Sequence, residues 1–424
     1  MKKMINLFKN RYFVVFLLSV ALFFLRDSLI TLKEPILLSE EKHETEEENG
    51  SKKNQDKEVL TDKEFLPATV VKTVTSSDIS VKESTFKAPE KVKAIYLTSW
   101  SAATPYRINY AIDLAKNTEI NAVVIDIKDW SGHISYNTEV FEAQEYNAER
   151  FLIADVKAFV ERFHKEGIYT IARITVFQDP ILARSRPDLA IKRESDKSLL
   201  WLDRSGLAWI DPAAKESWDY NIAIAKDVLS QGFDEINFDY VRFPTDGDLK
   251  DMSFPIWNAS TTFRHQVIKS FYSYLREQLP DAVLSVDLFG LSTVSSNFGI
   301  GQNIEDAYHY FDFVSPMVYP SHYASMYLGY ENPAEHPYEI IKYSMDSALT
   351  KLKAFNEVFP TEVRLRPWLQ DFDLGADYDK DMIRLEIDAV SDALGEDFSG
   401  FMLWSADNFY TKEALSTTTQ NLLE

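Results

Sequence analysis

From Lys91 onward the chain alternates between two hydrophobic patterns. In one, apolar residues fill every second position or an unbroken short block; in the other they recur every three to four positions. The first is the mark of strands, whose side chains alternate faces, and the second of helices with one apolar stripe. In order, the strand patterns fall at 92–100, 121–130, 169–179, 232–239, 283–290, 313–319, 362–372 and 400–404, the last running into 405–410. Helical patterns fall between them at 105–116, 151–166, 213–231, 262–279, 303–310, 337–355 and 380–394. Eight strands alternating with helices predict an α/β fold, a (β/α)₈ TIM barrel with extended βα loops. An open doubly wound sheet is the structural alternative. No Gly-rich phosphate loop follows the first strand, where Thr98-Ser99-Trp100-Ser101 stands instead, so nucleotide binding has little support.

The run from Gly232 to Pro244 (GFDEINFDYVRFP) is the most informative stretch. Ile236 and Phe238 share one parity and Asn237 and Asp239 the other, so one face packs on helices and the other points into the barrel mouth. Parity repeats elsewhere: Asp126 and Lys128 share a face of the second strand, and Ser285 and Asp287 share a face of the fifth.

Ahead of Lys91 the pattern changes twice. Lys2, Lys3, Lys9 and Arg11 precede an apolar run over 12–25, the layout of an export signal. No small-x-small cleavage site follows, and continuation through Leu29, Ile30 and Leu32 reaches a spanning length. The expectation is a single-pass signal anchor over 1–32, with the folded part on the extracytoplasmic side of the cell membrane; secretion after cleavage is the alternative. Residues 33–89, acidic and then Lys-, Ser- and Thr-rich, predict a disordered linker, which leaves 90–424 as the barrel domain.

Charge and composition narrow the chemistry. A net charge of −21 argues against a nucleic-acid partner. The absence of Cys excludes disulfides, thiolate metal sites and a Cys nucleophile. No His-x-His or His-x-x-x-His pair predicts a metal site, no Gly-x-Ser-x-Gly elbow predicts a serine hydrolase, and no cofactor is expected.

Barrel active sites lie at the carboxyl ends of strands. The polar and aromatic residues there are Trp100; Asp126 and Lys128; Arg173; Asp239 and Arg242; Asp287; Tyr319 and His322; Trp368, Gln370 and Asp371; and Trp404. Several acids, an Arg and flat rings on one rim suit a sugar-processing cleft. A strand-end Asp can equally pair with a neighbouring cation or cap the next helix, so the set says more than any member.

The segments KAIYLTSW, NAVVIDIKD, GFDEINFDYVRFP, LSVDLFG, VSPMVYPSHY, RPWLQDF and GFMLWSADNFY resemble a bacterial glycoside hydrolase (β/α)₈-barrel family over about residues 91–410. The resemblance implies a membrane-anchored enzyme acting on O-glycosidic bonds of a poly- or oligosaccharide, in carbohydrate or cell-wall metabolism, with Asp239 as a leading catalytic position. The fourth strand also resembles the chitinase pattern Asp-x-x-Asp-x-Asp-x-Glu, with Asp234, Asn237 and Asp239 in its acidic places, but the Glu position holds Val241. An α-amylase-like layout, pairing Asp239 with Asp287, is closer. The expected machinery is therefore Asp239 as nucleophile or base, Asp287 as acid and Asp126 beside them. Trp100, Lys128, Arg173, Arg242, Tyr319, Trp368, Gln370, Asp371 and Trp404 are the expected substrate-binding residues. The alternative is a non-catalytic, glycan-binding or cell-wall-associated barrel.

Overall fold

A computed structural model describes residues 86–296 and 299–416. Eight strands make the barrel: β1 (Val92–Leu97), β2 (Ala122–Lys128), β3 (Tyr169–Thr175), β4 (Glu235–Asp239), β5 (Val283–Phe289), β6 (Phe313–Met317), β7 and β8 (Gly400–Trp404). Strand β7 is broken into Arg364–Leu365 and Trp368–Gln370 by the Arg366-Pro367 step, where proline has no N–H to give the ladder. The principal helices between them are α1 (Pro105–Asn117), α2 (Val156–His164), α3 (Lys215–Ser230), α4 (Arg264–Gln278), α5 (Ile304–Ala307), α6 (Pro337–Asn356) and α7 (Lys380–Leu394).

Every pairing between neighbouring barrel strands is parallel, and the sheet is closed. β8 pairs with β1 from Val92↔Gly400 to Ile95↔Leu403, while Trp368 of β7 pairs with Met317 of β6 and Met402 of β8. Closure excludes the open sheet. At the seam Gly400 has φ +114°, and a Cβ there would lie 1.9 Å from the Val92 carbonyl oxygen, so only glycine lets the two backbones meet. The extended loops after β3 and β4 are joined by a short antiparallel pairing, Lys192–Arg193 with Met252–Ser253.

Parity decides the layers. Ile236 and Phe238 face outward into the helix layer, where Phe238 meets Phe271 of α4 at a ring distance of 6.4 Å. Inside, Val92, Ala94, Ala122, Val124, Ile171 and Met402 form a separate apolar cluster. Below the mouth this interior holds a fully buried ion pair. Arg366 donates from Nη2 to Glu235 Oε1 and from Nη1 to Oε2 at 3.1 Å; its guanidinium lies 4.0 Å from the Phe313 ring centre, and Ser285 donates to Oε1 at 2.6 Å. The predicted strand ends at 98–100, 129–130 and 176–179 lie outside the strands, because polar groups there fold back as caps. Thr98, for example, accepts the Ser101 N–H and starts a helical turn over Ser99–Ala102.

No helix among the described residues is long and apolar enough to cross a membrane; the predicted anchor and most of the predicted linker lie outside those residues.

Arg366→Met leaves the Glu235 carboxylate buried without its cation and should cost about 3–5 kcal/mol in equilibrium denaturation. Adding Glu235→Gln, which keeps an acceptor for Ser285 without the charge, should recover a large part of that loss. A single variant within about 1 kcal/mol of the parent would show that the pair is not holding the interior together.

Candidate active site

The register of four strands gathers the charged groups of the mouth. Asp126 on β2 is the Cα partner of Arg173 on β3, Arg173 that of Asn237 on β4, and Asn237 that of Ser285 on β5. Asp239 and Asp287 each stand two residues further along, on the same inward parity. At the centre is Arg173. Its Nη1 donates to Asp126 Oδ1 at 2.5 Å, its Nη2 donates to Asp239 Oδ2, and its Nε lies 3.8 Å from Asp287 Oδ2. One guanidinium therefore touches all three carboxylates, which is what its rigid fork of five donors permits.

Each carboxylate has further donors. Asp126 Oδ2 accepts the Tyr96 hydroxyl, Asp239 Oδ1 accepts the Tyr240 N–H at 2.5 Å, and Asp287 Oδ1 accepts Asn237 Nδ2 at 2.8 Å and Trp368 Nε1 at 2.7 Å. Tyr240 sits at φ +53°, a left-handed turn by a bulky residue directly after Asp239, and this conformation aims its N–H back at the carboxylate.

A cleft opens over this cluster. Arg173, Asp239, Arg242, Asp287, Tyr319, Trp368 and Trp404 line it, with Tyr240, Phe289, Gly290, Leu291, Met317, His322 and Tyr323. Burial, reinforced by the charge of Asp239, pushes the Asp287 carboxyl well above the usual carboxylate range, against the opposing pull of Arg173, Asn237 and Trp368. Since Oδ1 already takes two donors, a proton on Asp287 belongs on Oδ2. Burial also raises Asp126, and it lowers the His322 imidazole to about 4, so that ring is neutral at pH 7. Among the described residues no group of three or more His, Asp or Glu is placed to hold a metal ion.

Five expected positions stand elsewhere than at the cleft wall. Asp126 lies behind Arg173, tied to it and to Tyr96. Lys128 is fully buried on the helix side, where its Nζ binds Asp179 at 2.7 Å, the Thr175 carbonyl at 2.6 Å and Asn221 of α3 at 3.1 Å. A bulge between Asp126 and Lys128 breaks the alternation, so the two do not share a face and do not pair. Gln370 is fully buried away from the cleft, accepting from the Ser321 hydroxyl at 2.7 Å and donating to the Phe372 carbonyl at 2.9 Å. Asp371 accepts the Thr411 N–H and hydroxyl, both at 2.9 Å, and so ties the end of β7 to the chain after β8. Trp100, lifted off β1 by the Thr98 turn, is 55% exposed beside Arg150. Of the rings in the cleft, Trp368 is only 1% exposed and spends its N–H on Asp287, whereas Trp404 is partly open and stacks on Tyr96 at 6.0 Å.

Tyr96 and Asn237 stand in the site without being among the expected residues, although both have inward parity. Phe289, the last residue of β5, shares the parity of Asp287 and carries the same signal; Tyr240 and Tyr323 carry none, since loops bring them in.

The chain matches, over residues 94–410, the profile of the family described as "Putative glycosyl hydrolase domain", and it belongs to that family. Among solved structures it is similar to the glycoside hydrolase domain of PgaB (BpsB) from Bordetella bronchiseptica, at 14% identity and a TM-score of 0.52, over 78% of this chain and 100% of that one. That likeness bears on the barrel fold. A hypothetical protein from Ruminiclostridium thermocellum ATCC 27405 is 40% identical over 46% of this chain and 96% of its own, with a TM-score of 0.42. The glycoside hydrolase domain of PelA from Pseudomonas aeruginosa matches at 13% identity and a TM-score of 0.40, over 76% of this chain and 97% of that one. No curated protein matches the chain.

Burial pushes Asp371 up to about 6. Its folded pKa is raised, so the stability it contributes is fully present below about pH 4 and is lost as pH rises through about 6, some 2–3 kcal/mol in all. Asp371→Asn keeps an acceptor for Thr411 without titrating. The stability difference between parent and variant, read from denaturation midpoints, should therefore shift against the parent from about pH 4 to about pH 8. A constant difference across that window would contradict the shift.

Proposed function

We propose that this member of the glycosyl hydrolase family cleaves O-glycosidic bonds of a poly- or oligosaccharide by a two-carboxylate mechanism, with Asp287 as general acid and Asp239 as nucleophile or general base. The observation that carries the reading is the pairing of these two acids in one cleft wall, bridged by Arg173, with Asp287 pushed upward and Asp239 supplied with two donors. Pairs of acids whose environments push them apart divide the labour of acid and base. In this scheme protonated Asp287 gives its Oδ2 proton to the glycosidic oxygen as the C–O bond breaks. Asp239 then either attacks the anomeric carbon or takes a proton from the attacking water, and the anomer first released distinguishes the two. Arg173 orients both acids, Asp126 fixes Arg173, and Trp404, partly exposed in the cleft wall, is the ring that offers stacking to a pyranose. The basic flank and apolar run within residues 2–32 support a membrane tether that holds the barrel on the extracytoplasmic side.

A second reading, a glycan-binding barrel without catalysis, is favoured by one observation: Arg173 contacts all three acids, and acids locked in ion pairs do no chemistry. One guanidinium cannot neutralise three carboxylates, however, and Asp287 stands at the long contact. That imbalance favours the enzyme.

The test is a panel of bacterial and plant polysaccharides assayed with the parent and with Asp239→Asn and Asp287→Asn. Each variant should lose about 10²–10⁴-fold in kcat. Only Asp287→Asn should recover on an aryl glycoside of the responsive sugar, whose leaving group needs no proton. Hydrolysis at the parent rate in both variants sinks the assignment.

Because Asp287 must be protonated to act, kcat/KM of the parent should fall as pH rises through its elevated pKa. Asp287→Asn should lack that limb when measured on the aryl glycoside.

A further inference from the structure

Two arginines line the cleft, and they are spent differently. Arg173 is committed to Asp126, Asp239 and Asp287. Arg242 is 4% exposed, yet among the described residues no carboxylate lies within ion-pair distance of it. Its hydrogen bonds run from Nη1 alone, to the Phe243 carbonyl at 3.2 Å and Thr245 Oγ1 at 3.3 Å. Three rings surround the guanidinium instead: Trp209 at 4.8 Å, Phe289 at 4.8 Å and Tyr240 at 5.1 Å from their centres. Trp209 is itself pinned by its indole N–H to Asp203 at 2.9 Å. Such a cage offsets part of the cost of burying the cation and fixes its plane, but it supplies no acceptor to Nε or Nη2. Asp246, Asp239 and Asp203 act on Arg242 only through space, while burial works against its charge.

Arg242 thus stands in the cleft wall with Nε and Nη2 given no acceptor by the described residues, and these are the donors open to a ligand there. Resting on the glycosidase reading, we propose that Arg242 binds an anionic substituent of the substrate, so that the cleft takes an acidic sugar, carrying a carboxylate (a uronic acid) or a sulfate ester. A planar guanidinium matches either group through two parallel N–H donors. Arg242 follows Asp239 by three residues, which puts this contact beside the reacting bond and makes Arg242 a determinant of which sugar is cleaved.

The test uses the full-length chain carrying Asp287→Asn, applied to an array of uronate-bearing oligosaccharides, their methyl esters, sulfated oligosaccharides and neutral ones. Binding to the acid should exceed binding to its methyl ester by about tenfold or more. Adding Arg242→Met should bring that ratio to about one, and Arg242→Lys should keep part of it. If Arg242 serves only to hold the Phe243 carbonyl and Thr245, Arg242→Met weakens acid and ester alike and the ratio survives, which overturns the proposal. Preference for sulfated over carboxylated glycans identifies sulfate as the anion. Equal binding of acid, ester and neutral glycans before any change at Arg242 also overturns it, whether or not the Arg variants fold. Hydrolysis of neutral polysaccharides without acid preference leaves the glycosidase reading standing and removes this one alone; no glycan bound and none cleaved removes both.

Discussion

The mouth of this barrel is organised by a single cation in a place where water cannot compensate for it. Arg173 rises from β3 into the interior and meets a carboxylate from β2, one from β4 and one from β5. Like charges in a low-dielectric site repel strongly, and three acids could not be brought together there without a cation among them. The guanidinium also dictates geometry, because its donors lie in one plane and the acids must come to it. The remaining repulsion is relieved where Asp287, with the longest contact and strong burial, is pushed towards its protonated form.

That arrangement depends on support from beneath. The Glu235–Arg366 pair lies one step below Asn237 on β4, and Ser285, the Cα partner of Asn237, lies one step below Asp287 on β5, where its hydroxyl reaches Glu235. Asn237 links the two levels by donating to both Ser285 Oγ, at 3.0 Å, and Asp287 Oδ1. The polar interior is thus a connected network from the floor to the mouth, and an apolar cluster from β1, β2, β3 and β8 fills the other side. The network is connected but not complete, since Asn237 Oδ1 and Arg366 Nε are buried without a hydrogen-bond partner among the described residues; the bonds it does make hold the mouth carboxylates in one geometry.

Much of this was legible in the chain. The eight-strand alternation, the inward parity of Asp239 and Asp287, and the place of Arg173 at a strand end follow from periodicities of two and 3.6. The errors have local causes. Counting alternate residues puts Lys128 with Asp126, but one bulge carries it to the helix side, where Asp179 and Asn221 bind it. The apolar pattern carries β1 on to Trp100, but Thr98 caps a helical turn there. Gln370 and Asp371 stand at a strand end as expected, yet nearby polar groups, Ser321 and Thr411, take up their hydrogen bonds first.

The sequence alone determined what depends on neighbours along the chain: which segments are strands, which face each side chain takes in an unbroken strand, and which residue types the rim can offer. Only the tertiary structure decided who partners whom. That Arg173 rather than Arg242 bridges the acids, that Trp368 serves Asp287 rather than solvent, and that Trp209 from a distant loop closes over Arg242 are outcomes of register and loop packing. The physical reason is that a charge's partner is set by distance through space and by competition with every other donor nearby, and neither quantity is written in local spacing.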